Sequence, residues 1–223
     1  MRADLAHIEA WVFDMDNTLY PASCNLFAPI EARMTGYIAD RLGLPEAEAS
    51  ALRRGWFLSH GTTLAGLMAD HDIDPHEFLA YVHDVEMDVL EENAPLAALI
   101  ARLPGRKIVF TNGDGPYAGK VLGRLGLGAT FEGVHDIHAM ALAPKPAPIA
   151  YQSLCDAYAL DPTRALFADD MARNLAPAKA IGMTTLWIDN GSEHQPEAHD
   201  APYIDHATAN LTAWLADLLG EAL

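Results

Sequence analysis

Four short apolar runs in this chain end in the same way, and that shared ending restricts the fold more than any other feature. "WVF" closes at Asp14, "RKIVF" at Thr111, "ALFA" at Asp169 and "TTLWI" at Asp189. Each run is rich in β-branched or aromatic residues and stops at a polar group, which is how a buried strand reads. Helical patterns fill the intervals: Pro95 to Leu103, Tyr117 to Leu125, Ala147 to Tyr158 and Ala172 to Ile181. A last amphipathic helix is expected from about Ala207 to Leu219. Strands that alternate with helices pair in parallel and take helices on both faces. The expected fold is therefore α/β, with a Rossmann-like parallel sheet. In such a sheet the carboxyl ends of the strands face one way, so the polar groups at those ends converge on one crevice.

The alternation breaks once. From about Tyr20 to Asn93 the pattern is helical only. In "PHEFLAYVHDVEMDVL" the residues Phe78, Val82, Val85 and Val89 fall on one helical face, and "EAEASALRRGWFL" is a second helical candidate. The expected organisation is a core made of residues 1–19 and 94–223 with a helical cap, residues 20–93, inserted after the first strand. A chain of 223 residues has room for a core domain and such an insertion.

The formal net charge is -17. A surface of that sign repels nucleic acid and anionic membranes, so neither is an expected partner. It also repels phosphorylated molecules, so any phosphate site must be locally positive. Cys24 and Cys155 lie far apart, without a CxxC spacing, and read as free thiols of a reducing compartment. The opening "MRADLAHIEA" has no apolar leader stretch, and no window approaches about 18 continuous apolar residues. The expectation is a cytoplasmic protein, and the oligomeric state is left open.

The chemistry lies in the polar clusters. Asp14 with Asp16, Thr111 with Asn112, and Asp169 with Asp170 each follow a strand. Lys145, between Pro144 and Pro146, sits in a loop before a helix, where two rigid prolines help to aim it. Acids that converge in this way suit a hard divalent cation held through oxygen, Mg²⁺ above all. The cation and Lys145 would offset the negative charge and attract a phosphate. Asp14 could then attack phosphorus, with Asp16 managing the proton.

These stretches resemble the four motifs of the haloacid dehalogenase superfamily, in order: "DMDNT", "VFTNG", "PKP" and "FADDMARN". The resemblance covers nearly the whole chain, and the superfamily's helical C1 cap falls where the insertion lies. It implies that Asp14 is the nucleophile that becomes an aspartyl-phosphate. Asp16 would protonate the leaving oxygen and then activate water. Thr111 and the amide of Asn112 would hold phosphate oxygens, with Met15 beside them, and Lys145 would neutralise charge. Asp14, the main-chain carbonyl of Asp16, Asp170 and Asp169 would hold the metal, the order of the last pair being open by one position. "FDMDNTLYP", "GTTLAGLM" and "FADDMARNL" further resemble the pyrimidine 5'-nucleotidase branch. The expected activity is thus Mg²⁺-dependent removal of phosphate from a small phosphorylated metabolite, a nucleoside 5'-monophosphate such as UMP or CMP. His60, Thr62 and Thr63, polar and placed at a turn of the insertion, are the candidates for contact with the rest of the substrate.

Blander readings and rivals bound this. Asp70, Asp72 and Asp74 contain DxD pairs too, but Pro75 and Tyr81 stand where a calcium loop needs Gly and Glu, so a solvated turn is expected. "HDIH" offers His135 and His138 without further zinc ligands, and Trp56, Phe57 and Tyr81 read as packing residues of the insertion. A haloalkanoic acid dehalogenase needs neither metal nor an acid at the second position, so Asp16 and Asp169-Asp170 argue against it. A phosphatase of sugar phosphates or phosphoglycolate, or a phosphomutase, stays compatible with every motif. A non-catalytic binding protein on the same scaffold would be expected to lack Asp14, Asp16 or Lys145.

Overall fold

The computed structural model describes residues 3–191 and 201–221. Its centre is a parallel sheet in which the first strand holds the middle. Strand β1 (Ala10–Phe13) pairs with β2 (Arg106–Phe110) on one side and β4 (Ala165–Asp169) on the other. β3 (Gly133–His135), β5 (Thr184–Ile188) and β6 (His206–Thr208) complete the order β3-β2-β1-β4-β5-β6, all parallel. β1 and β4 are buried along their whole length. Strands covered on both faces carry continuous apolar runs instead of alternating ones, which is why "WVF" and "ALFA" were readable. After β1 the chain builds outward through β2 and β3, then returns to the other side at β4. That reversal places the topological switch point between β1 and β4, where open α/β sheets bind ligands.

The covering helices start on recognisable signals. α5 (Ala94–Arg102), α6 (Gly115–Arg124) and α7 (Pro148–Tyr158) each carry proline in the first turn, where the missing N–H costs nothing. Asn93 and Asp114 cap the first two through their side chains. α8 (Ala172–Ala180) packs on β4 and β5, and α9 (Leu211–Leu219) packs against α5. The last helix is shorter than expected. His206–Thr208 forms the edge strand, and the helix begins only after Asn210, whose Oδ1 accepts the Ala213 N–H at 3.0 Å.

Four helices separate β1 from α5: α1 (Phe27–Leu42), α2 (Glu46–His60), α3 (Thr63–Asp70) and α4 (Pro75–Val82). α1 packs on α2 and α4, and α2 packs on α3. The α2–α3 contact depends on Gly66, where an added Cβ would stand 2.3 Å from Trp56. Trp56 is buried there and donates from Nε1 to Asp70 at 2.7 Å. Asp74 caps α4. The helix expected to run on to Val89 ends at Val82 instead. Its buried face is Phe78, Leu79 and Val82, while Val89 is half exposed. The helix stops because His83 turns toward the core, where its ring meets Asp114 and Tyr117. Cys24 and Cys155 are free thiols. No helix among the described residues is long and apolar enough to cross a membrane.

Candidate active site at the carboxyl edge of the sheet

Asp14 leaves the end of β1 with its N–H bonded to the Ala168 carbonyl of β4 at 2.8 Å, so the turn starts in a fixed register. Asn17 then takes a left-handed φ of 57°, which asparagine tolerates, and the chain reverses. This reversal holds Asp14 inward, buried, and leaves Asp16 partly exposed. Thr18 donates its hydroxyl to Asp14 Oδ2 at 3.2 Å and accepts the Asp170 N–H at 3.1 Å, tying the β1 turn to the β4 turn.

Lys145 is the hub. Its side chain is only 1% exposed, and Nζ donates to Asp14 Oδ1 at 2.7 Å, Asp169 Oδ2 at 2.8 Å and the Phe110 carbonyl at 2.8 Å. All three ammonium protons are therefore used. Its loop is held by Asn112, which accepts the Lys145 N–H at 2.9 Å and donates to the Lys145 carbonyl at 3.2 Å. The Asn112 side chain thus joins the second and third motif loops. Thr111 is buried, and its Oγ1 accepts the Gly113 N–H at 3.0 Å, which orients the hydroxyl.

The two acids at the end of β4 have different surroundings. Asp169 is fully buried. Its Oδ1 accepts from the Met171 N–H and Asn174, and its Oδ2 from Lys145 and Asn174. Asp170 sends its carbonyl to Trp187 Nε1 at 2.9 Å. Ligand oxygens of Asp14, Asp169 and Asp170 lie within 4.8 Å of one another. Oxygen donors at that separation suit a hard cation such as Mg²⁺.

Burial dominates the electrostatics. It pushes Asp14 up to about 7, against the pull of Lys145 and with help from Asp169 and Asp16. Asp16 is raised for the same reason, opposed by the hydroxyls of Tyr20 and Tyr117. Burial alone would lower the Lys145 amine, but Asp14 and Asp169 more than reverse that and leave it raised and charged. A cluster of acids answered by one buried lysine has room for further positive charge.

The α2–α3 turn lies directly on this loop. A Cβ on Gly61 would stand 3.0 Å from the Lys145 carbonyl oxygen and 3.2 Å from Pro146 Cδ, and Gly61 itself has φ +84°. Arg173 of α8 donates to the carbonyls of Gly61 and Phe57 and stacks over the Phe57 ring at 4.2 Å. The three candidates on this turn differ. His60 is exposed, with Nδ1 2.7 Å from Ser59 Oγ. Thr62 caps α3 by accepting the Ala65 N–H at 3.1 Å. Thr63 is buried with its hydroxyl toward the Arg53 carbonyl. Met15 has a fully buried side chain, so only its main chain can face a ligand. His135 bonds Ser153, and His138 stacks on His76.

Several contributors were not singled out from sequence: Thr18, Asn174, Tyr20, Tyr117 and Arg173. Thr18 and Asn174 lie inside the quoted motifs, so spacing could have found them. Tyr117 reaches Asp16 across 101 positions, and no local pattern carries that contact.

A parallel sheet with a buried acid–lysine–acid cluster at its switch point places the molecule among α/β proteins that bind ligands at the carboxyl ends of their strands. Residues 8–182 match the haloacid dehalogenase-like hydrolases, and the chain belongs to that family. It is similar to phosphate metabolism protein 8 of Saccharomyces cerevisiae, at 24% identity over 95% of this chain and 70% of that one. Its fold matches a HAD phosphatase from Thermococcus onnurineus, with a TM-score of 0.63 and 19% identity over 97% of this chain and all of that one. It also matches the L-2-haloacid dehalogenase of Xanthobacter autotrophicus, with a TM-score of 0.59 and 16% identity over 96% of this chain and all of that one. Such likeness fixes the fold and leaves phosphorus and carbon chemistry to be separated at the site.

Proposed function

We propose that this hydrolase is a Mg²⁺-dependent phosphomonoesterase that works through an aspartyl-phosphate on Asp14. The observation that carries the reading is Asp16, a partly exposed acid two residues from the nucleophile, beside the Asp14–Asp169–Asp170 cluster. Substitution at carbon with loss of halide needs no proton donor for its leaving group and no carboxylate cluster. Phosphate ester cleavage uses both.

In the first step an Asp14 oxygen forms a bond to phosphorus as the ester P–O bond breaks. The bonding pair stays on the leaving oxygen, which takes a proton from the Asp16 carboxyl. In the second step Asp16, now a carboxylate, takes a proton from water. The water oxygen bonds phosphorus, and the Asp14 oxygen is released. Lys145 holds Asp14 in place and balances its charge. Asp169, with both oxygens engaged by Lys145, Asn174 and the Met171 N–H, positions that lysine. Asp170, Asp14 and the Asp16 carbonyl would hold Mg²⁺, which when bound supplies positive charge to phosphate oxygens.

Helices α1–α4 act in this reading as the cap, residues 20–93, and the turn at His60 as its substrate face. The substrate is a small phosphorylated metabolite. A pyrimidine nucleoside 5'-monophosphate is the specific reading, supported by the motif resemblance and by a relative named for phosphate metabolism. The test measures phosphate release from nucleoside monophosphates, sugar phosphates and phosphoglycolate, with and without Mg²⁺, and halide release from 2-haloacids. A Mg²⁺-dependent peak on UMP or CMP supports the full reading. A flat phosphate profile removes the nucleotide assignment. Halide release without phosphate release overturns the reading entirely.

A further inference from the structure

Asp16 is held on one side only. Its Oδ1 accepts the Tyr20 hydroxyl at 2.7 Å and the Tyr117 hydroxyl at 2.8 Å, whereas its Oδ2 makes no hydrogen bond among the described residues. Two short bonds to one oxygen hold the carboxyl group and leave Oδ2 as its unengaged atom among the described residues. The donors come from distant parts of the chain. Tyr20 follows the β1 turn, and Tyr117 stands in the first turn of α6. Both rings are buried. A phenol hydroxyl that faces a carboxylate oxygen at these distances donates to it, so both tyrosines act as donors.

Tyr117 is in turn braced. Its N–H is capped by Asp114 Oδ1 at 3.1 Å, and its ring stacks on His83 with centroids 4.1 Å apart and planes 13° off parallel. His83 Nδ1 lies 3.1 Å from the same Asp114 oxygen. The residue that ends α4 therefore backs the ring that aims Asp16.

We infer that Tyr20 and Tyr117 are paired positioning residues that hold Asp16 by Oδ1 so that Oδ2 faces the leaving group and exchanges the proton, with His83 bracing Tyr117 from the helical unit. This rests on the phosphomonoesterase reading. In the step concerned the Asp16 Oδ2–H bond breaks and an O–H bond forms on the leaving oxygen, as the ester P–O bond breaks and the Asp14 O–P bond forms. A merely structural pair would support the fold and leave no mark on how the rate depends on the leaving group. A positioning pair would matter most where the leaving group needs the proton.

The test compares phenyl phosphate with p-nitrophenyl phosphate, using kcat/KM, which reports the steps through formation of the aspartyl-phosphate. Phenol, with a pKa near 10 like the tyrosine side chain, needs protonation far more than the acidic nitrophenol. Tyr117→Phe and Tyr20→Phe keep the rings and the stack. Each is expected to lower kcat/KM for phenyl phosphate by roughly tenfold, and the double variant by roughly a hundredfold, the size of lost hydrogen bonds to a charged group. The effect on p-nitrophenyl phosphate should be several times smaller in each case. His83→Ala should show the same selectivity more weakly, with a thermal melt confirming that each variant is folded. Equal losses on both esters, or none on either, overturn the positioning role while leaving the phosphomonoesterase reading intact. A wild-type protein that releases phosphate from neither ester overturns both.

Discussion

The β1–β4 edge of the sheet and the helical unit α1–α4 use polar side chains for different ends. At the sheet edge, polar groups bond across elements far apart in sequence. Lys145 meets Asp14, Asp169 and the Phe110 carbonyl, and Thr18 meets the Asp170 N–H. In the helical unit they cap helices, as Thr62 does for Ala65 and Asp74 for His76, or tie one helix to the next, as Arg53 does to Glu31 and Trp56 to Asp70. The first kind of bond fixes a constellation of acids around one lysine, and the second fixes helix ends and the packing of helix on helix. Chemistry placed on the sheet is therefore held rigidly, while the unit above it keeps its own local order and meets the core through a few residues such as Gly61, His83 and Arg173.

The sharpest way to break this contrast is at Asp14, the proposed nucleophile. Asp14→Asn should reduce phosphate release by about 10³-fold or more while the thermal melt stays cooperative; near-normal turnover would remove Asp14 from the chemistry. Lys145→Met should cost about 3–5 kcal/mol of stability in urea unfolding, because it leaves Asp14 and Asp169 buried without their cation. In the helical unit, Gly66→Ala should cost about 1–3 kcal/mol through overpacking against Trp56. Its kcat on a small aryl phosphate should fall far less than that of any sheet-edge variant. The joint between the regions has a pH signature. Burial raises the Asp114 carboxyl, but the His83 hydrogen bond and charge and the Tyr117 N–H outweigh it, so the carboxyl ends below its usual value of 3.8. A folded-state pKa below the unfolded one adds stability above about 3.8 that is lost as pH falls toward the folded value. Asp114→Asn should therefore flatten the acid limb of a plot of Tm against pH, and an unchanged limb would show the contact to be inert. The smallest effect belongs to Thr62→Ala. Loss of a cap should cost about 1 kcal/mol and leave kcat/KM on the best substrate unchanged; a drop there would make Thr62 a substrate contact after all.

The same contrast explains what was legible in the sequence. β1, β2, β4 and β5 were visible because buried parallel strands need uninterrupted apolar runs, and the acids of the site were visible because they end those runs. β3 and β6 have three residues each at or near the sheet margins, with Gly133 in one and His206 in the other, too short to show a period. The end of α4 is hidden in the sequence because Val85 and Val89 continue the helical spacing, whereas His83 is drawn off by Asp114 and Tyr117, which lie beyond any local window. Tyr20 sits four residues from Asp16, close enough for spacing to suggest a contact. Tyr117 and Asn112 owe their roles to loops brought together by the sheet. The helical unit is legible as helix, but its candidate substrate contacts at 62 and 63 are not, since those side chains face its own backbone.

Gly61 sets a mechanical tolerance. With φ +84° and no side chain, it lets the α2–α3 turn rest on the Lys145–Pro146 peptide at a clearance that a single methyl group would exceed. The spacing between this turn and the lysine loop is thus gauged by one hydrogen atom. A chain of this kind that acquired a bulkier residue at 61 would have to lift the α2–α3 turn off the lysine loop, without replacing one residue of the acid–lysine cluster.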